Sequence, residues 1–170
     1  MINFYPGPSK IYAHVGSLLP EAFDSGLLSM NHRSESFMSM MHFTLDTVKQ
    51  KLDIPQDYEV FLVSSATESW EIIAQSFSDS FFHLYNGAFG QKWMEYTAKL
   101  NRQVAGLEFG FNEEPSFNFV DSLKPQDLVC LTHNETSNGS ALPNTFLENL
   151  RTTIGNVIAV DATSSMAGVS

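Results

Sequence analysis

The chain has 170 residues, 43% of them hydrophobic, enough for one α/β domain with its own core. Its formal net charge of −10 argues against nucleic acid and anionic membranes as partners, because neither phosphate backbone would gain counterion release from such a surface. No apolar stretch reaches the ~20 residues that span a bilayer. The start MINFYPGPSKIYAHV lacks the basic-then-apolar order of a signal peptide, so the expectation is a soluble, cytoplasmic protein.

Taken in chain order, SESFMSMMHFTLDTVKQKL (34–52) predicts an amphipathic helix with Ser34 as N-cap. Phe37, Met41, Thr44, Leu45 and Val48 share one face. YEVFLVSSAT reads as a strand apolar on both faces, and ESWEIIAQSF as a helix. The alternation continues through strand FFHLYNG, helix QKWMEYTAKLN, strands QVAGLEFG and DLVCLTH, helix NTFLENLRTT and strand NVIAVDA. Such alternation predicts a mostly parallel sheet with helices on both faces. A last strand at 157–161 with nine residues after it lacks its crossover helix, so the domain is expected to be truncated. Cys130, in DLVCLTH, reads as core packing.

Ligands of parallel sheets bind beyond the C-terminal strand ends. Four such ends carry small, polar or glycine residues: SSATES, YNGAFG, THNETSNG and DATSS. A strand that stops in SSAT and turns into a helix offers free amides to a phosphate, or simply caps the helix with Ser or Thr. Phe89 between two glycines is a stacking ring or a core residue. Asp161 either caps a turn or meets a cation. Thr136 adds a hydroxyl. Together these groups meet the needs of pyridoxal 5'-phosphate (PLP): a phosphate cradle, a ring face, a donor to the phenolic oxygen and an acid at the pyridine nitrogen. His14, His32, His42, His83 and His133 show no metal-ligand spacing, so no metal is expected, and His83 reads as a strand residue satisfied locally.

In order and spacing the segments resemble the class V aminotransferases of the PLP-dependent fold type I enzymes. FYPGPSKIYAHV is similar to that family's N-terminal Gly-Pro segment, and MNHRSESF to the Ser-His-Arg segment of phosphoserine aminotransferases. SSATES, NGAFGQKW, HNETSNG and VDATSSMAG are similar to the successive cofactor segments. The resemblance implies an N-terminal segment over 1–14 and part of the large PLP-binding domain over 15–170. It implies that the backbone of Ala66 and Thr67 cradles the phosphate, Phe89 stacks on the ring, Thr136 bonds the phenolic oxygen and Asp161 pairs with the pyridinium nitrogen. Arg33, beside His32, would bind an acidic group of the substrate.

The family's Schiff-base lysine is expected beyond Ser170. Of the lysines present, Lys10, Lys49, Lys51, Lys92, Lys99 and Lys124 all precede Asp161, so the chain alone is not expected to transaminate. The implied activity is amino transfer between an amino acid and a 2-oxo acid, phosphoserine and glutamate being the preferred pair, in a homodimer. SSAT and Phe89, where phosphoserine aminotransferases carry a glycine run and a tryptophan, point toward the alanine–glyoxylate and serine–pyruvate branch. A desulfurase or lyase on the same scaffold would need a reactive thiol or another specialised group, and a strand-buried Cys130 does not supply one. A non-catalytic binding protein is the remaining alternative. A dinucleotide-binding domain is disfavoured, since no Gly-x-Gly-x-x-Gly follows the first strand.

Overall fold

A computed structural model of the chain describes residues 10–168. They form two compact units that divide after Phe61. Residues 4–9 of the Gly-Pro segment FYPGPSKIYAHV (4–15) lie outside the described residues.

The first unit contains α1 (Ala13–Asp24), a 3-10 turn (Leu27–Ser29) and α2 (Glu35–Lys51). Ser34 caps α2 by accepting from the Phe37 amide. Glu35 in its first turn and Lys49 and Lys51 in its last complement the helix dipole. Phe37, Met41, Thr44, Leu45 and Val48 lie on its half-buried side, the face that the spacing predicts. The sequence reading has no counterpart to α1, whose interior holds Pro20.

The strand expected over YEVFLVSSAT does not form. Among the described residues, 59–63 have no ladder partner, Phe61 and Leu62 are 81% and 62% exposed, and Ala66 and Thr67 already belong to the next helix. An extended segment becomes a strand only when a neighbour takes up its amides and carbonyls, and the sheet offers none to this one.

The second unit carries the expected α/β fold, with α3 (Ala66–Ser76), α4 (Ala88–Lys99) and α5 (Asn144–Thr153) around four strands. These are β1 (Ser80–Tyr85), β2 (Gln103–Glu108), β3 (Leu128–Thr132) and β6 (Ile158–Asp161), all parallel, in the order β2-β1-β3-β6. Successive side chains of a strand point to opposite faces. Phe81, Leu128 and Cys130 therefore pack with Trp70, Ala74 and Trp93 of α3 and α4. Phe82, Leu84, Val129 and Leu131 pack on the other face with Phe146 and Leu150 of α5 and with Phe119. Phe119 lies in a 3-10 turn (Phe117–Ser122) that the sequence reading missed. It also missed β4 (Asn134–Glu135) and β5 (Ser140–Ala141), which form an antiparallel hairpin beyond the end of β3.

His83 is not satisfied locally as expected. It is 1% exposed, and its Nε2 is buried without a hydrogen-bond partner. Its ring meets Trp93 edge to face at 5.5 Å. Burial holds its pKa down from 6.5 to about 3. Between those values the unfolded chain takes up a proton that the native state refuses, so stability falls as pH drops below 6.5 and the loss is complete near 3. At pH 5 this amounts to roughly 2 kcal/mol. His83→Leu is expected to show a clearly smaller drop in melting temperature between pH 7 and pH 5 than the wild type. Equal drops would remove His83 from the acid limb.

Candidate cofactor site

The start of α3 is held open by its own capping. Ser65 Oγ accepts from the Glu68 amide at 3.2 Å, and Glu68 folds back to accept from Ser64 N and Ser64 Oγ, both at 2.6 Å. The Ser64 hydroxyl first, then its amide, hold the Glu68 carboxyl below its ordinary range. The first amides of a helix have no intrahelical acceptor, so those of Ala66 and Thr67 are left to meet a ligand.

Beyond β1 the chain turns through Asn86 and Gly87 into α4, which begins three residues before QKWMEYTAKLN. The reason lies far away in sequence. Glu135, 2% exposed on β4, accepts from the amides of Phe89 (3.4 Å) and Gly90 (3.0 Å), and so caps α4 from outside. Ser137 donates to the same carboxylate through its amide (3.1 Å) and its hydroxyl (2.6 Å). Burial pushes the Glu135 carboxyl up, but the bonds from Ser137, Gly90 and Phe89 outweigh it and hold it below its ordinary range. Gly87 is needed for this close approach, and Gly90 for the packing of α4 against Tyr85. A Cβ on Gly87 would lie 2.7 Å from Glu135 Cδ, and one on Gly90 2.7 Å from Tyr85 Cβ. The hairpin is tied to the same turn by Asn138 Nδ2 donating to the Asn86 carbonyl at 2.7 Å and Asn86 Nδ2 donating to Ser140 Oγ at 2.8 Å.

At the end of β6, Asp161 is half-buried and firmly held. Trp70 Nε1 donates to its Oδ2 at 3.1 Å, and Thr163 donates to its Oδ1 through the amide (3.0 Å) and the hydroxyl (2.6 Å). The β3–β6 register sets Thr132 opposite Asp161. Thr136 Oγ1 lies 2.6 Å from Ser164 Oγ, and His133 Nδ1 lies 2.9 Å from Ser165 Oγ.

One cleft of about 140 Å³ collects these groups. Ala66 and Thr67 reach it from the start of α3, Phe89 from the first turn of α4, Thr136 from beyond β3 and Asp161 from the end of β6. Phe89 is not core, being 43% exposed. Six more lining residues have no role in the sequence reading: Trp70, Lys92, Thr132, Asn134, Thr163 and Ser164. Lys92 follows Phe89 by three positions, which puts it on the same helix face. Trp70 gave no sign of its own, whereas Thr132, Asn134, Thr163 and Ser164 stand in the strand-end segments THNETSNG and DATSS. Thr132 Oγ1 is buried without a hydrogen-bond partner, a group that a polar ligand in the cleft would satisfy. Free amides, an open aromatic ring, unspent hydroxyls and a fixed carboxylate suit a phosphorylated aromatic heterocycle with a basic ring nitrogen, so PLP fits the residues present. His32 and Arg33 lie in the first unit, exposed, on the turn before α2, where the Arg33 amide donates to Asn31 Oδ1 at 2.9 Å. Among the described residues no three His, Cys, Asp or Glu side chains gather as a metal ion requires, and no helix is long and apolar enough to cross a membrane.

No protein-family model matches the chain. A phosphoserine aminotransferase structure from Cytophaga hutchinsonii superposes with a TM-score of 0.83 at 33% identity, over 95% of this chain and 45% of that one. A phosphoserine aminotransferase of Rhodococcus opacus is 28% identical over 98% of this chain and 44% of its own length. An L-aspartate–glyoxylate aminotransferase of Paracoccus denitrificans is 29% identical over 80% of this chain and 35% of its own. The chain thus spans about half the length, or less, of the curated relatives it matches. The fold, the cleft and these likenesses make the chain similar to one class, the PLP-dependent aminotransferases of fold type I. Within it, the chain resembles the phosphoserine aminotransferases.

Proposed function

We propose that the native-length protein is a PLP-dependent aminotransferase that moves an amino group between an amino acid and a 2-oxo acid, with phosphoserine and glutamate as the preferred pair. One observation carries the reading: Ala66, Thr67, Phe89, Thr136 and Asp161, set by four separate elements, line one cleft. PLP, when bound, supplies the electron sink that stabilises negative charge at the substrate α-carbon. The amides of Ala66 and Thr67 hold the phosphate at the positive end of α3. Phe89 covers one face of the ring and keeps water from it. Thr136 orients the phenolic oxygen, and Asp161 keeps the proton on the ring nitrogen. Arg33, with His32, binds the acidic group of the substrate.

By the same proposal the Schiff-base lysine is none of the lysines in these 170 residues, and 15–170 belong to the large PLP-binding domain. A homodimer comes with the same proposal by analogy. So does a cytoplasmic site, which suits a sole cysteine that is a buried free thiol. A desulfurase would need an accessible thiolate, whereas Cys130 is fully buried and burial pushes its thiol up. A glyoxylate-type aminotransferase is the second reading, favoured by the Paracoccus denitrificans relative.

The test follows the absorbance of the PLP-loaded native-length protein as single amino acids are added. Spectral conversion by phosphoserine and by glutamate supports the preferred pair. Conversion by alanine, serine or aspartate in place of phosphoserine moves the protein to the glyoxylate or pyruvate branch. No conversion by any of them removes the aminotransferase function.

A further inference from the structure

We propose that Trp70 is a positioning residue for Asp161, its indole N–H fixing the carboxylate in the orientation that meets the ring nitrogen of the cofactor. The inference rests on reading the cleft as a PLP site, and adds to it a residue that no motif pointed to. The last torsion of an aspartate side chain is broad, so a carboxylate at a strand end has no set plane of its own. Here both oxygens are held, Oδ1 by the amide and hydroxyl of Thr163 and Oδ2 by Trp70 Nε1 at 3.1 Å.

The indole is itself immobilised. Trp70 is 4% exposed and stacks on Trp93 with centroids 5.8 Å apart and planes at 11°, while Tyr96 meets it edge-on at 6.3 Å. The core therefore aims the N–H, and the N–H aims the carboxylate. Trp93 provides an internal contrast. It is 1% exposed, yet its Nε1 has no partner, so burial in this core does not by itself pair an indole N–H with an acceptor. The Trp70–Asp161 bond joins α3 to the end of β6 across the cleft that both residues line.

The experiment compares PLP with its analogue carrying C–H in place of the ring nitrogen, each titrated by equilibrium dialysis into the native-length protein and its variants. The wild type is expected to prefer PLP by roughly tenfold or more, the worth of a hydrogen bond between charged partners. Asp161→Asn is expected to bring the preference close to one. Trp70→Phe keeps the ring stacked on Trp93 but removes the N–H, and is expected to cut the preference at least about threefold while leaving affinity for the analogue unchanged, which a purely structural role would not do.

If Asp161→Asn abolishes the preference and Trp70→Phe leaves it at the wild-type value, Trp70 has no positioning role and the PLP reading stands. If the wild type binds neither compound, or shows no preference, the assignment of Asp161 fails and the inference with it. Should Trp70→Phe not fold, the Trp70 indole N–H resonance decides. It is expected to shift in Asp161→Asn while that of Trp93 stays, and an unmoved Trp70 resonance overturns the proposal.

Discussion

Asp161→Asn in the native-length protein is expected to lower the single-turnover rate of amino transfer on the order of a hundredfold, because a charge-assisted hydrogen bond is worth about 1.5–3 kcal/mol and each 1.36 kcal/mol of barrier is tenfold in rate. The side chain keeps its size, and an amide oxygen can still accept from the Thr163 amide and hydroxyl, so the end of β6 is expected to keep its shape. On the proposed reading, what the variant loses is the negative charge that would face the ring nitrogen. A neutral amide cannot keep that nitrogen protonated, and an unprotonated ring is a poorer electron sink. The amide's NH2 group also faces the Trp70 N–H, a donor against a donor, which loosens the same corner. PLP is expected to remain bound, since the amides of Ala66 and Thr67 and the ring of Phe89 are untouched. Unchanged turnover with PLP bound would refute the role given to Asp161. Loss of turnover together with loss of PLP would make it a structural residue.

Much of this site is readable from sequence because its parts are local signals at strand ends. SSAT before a helix, Gly-Ala-Phe-Gly after a strand and Asp161 closing an apolar run each carry a reason for being small, open or acidic where they stand. The core was equally legible. Phe81 to Leu84 and Leu128 to Leu131 are apolar on both faces of the sheet, with His83 the exception, and helices cover both.

What could not be read are the residues whose work depends on distant partners. Glu135 lies in a polar stretch and looks solvated, but it is buried beneath α4 because amides more than forty residues earlier need an acceptor. Trp70 has the spacing of any core residue on α3, and only the turn of β6 brings Asp161 within reach of its N–H. The segment 59–63 fails in the opposite direction. Its composition is that of a strand, yet a strand is a property of a pair, and no partner for it stands in the sheet.

The same dependence on a distant partner makes Gly87 sensitive to substitution. Its φ of −164° is extended backbone open to any residue, so Gly87→Ala introduces no backbone strain, and its whole effect must come from the added methyl. That methyl would meet Glu135 Cδ at 2.7 Å and Ser137 Oγ at 2.8 Å. Glu135 then has to leave the position in which it accepts from Phe89, Gly90 and Ser137, and α4 loses its outside cap. Breaking a buried, charge-assisted network of this kind is expected to cost roughly 2–4 kcal/mol. That corresponds to a fall in melting temperature of about 10 °C. Because Phe89 is held through its amide to the same carboxylate, weaker PLP binding is expected to accompany the loss of stability.

A double-mutant cycle separates this cause from a general intolerance of the turn. Once Glu135→Ala has emptied the space of its carboxylate, Gly87→Ala has only the Ser137 hydroxyl left to displace, so its cost in that background is expected to shrink to well under half. If the two substitutions instead add, Gly87 is required for something other than the approach of Glu135, and the outside cap of α4 is not what its missing side chain makes room for.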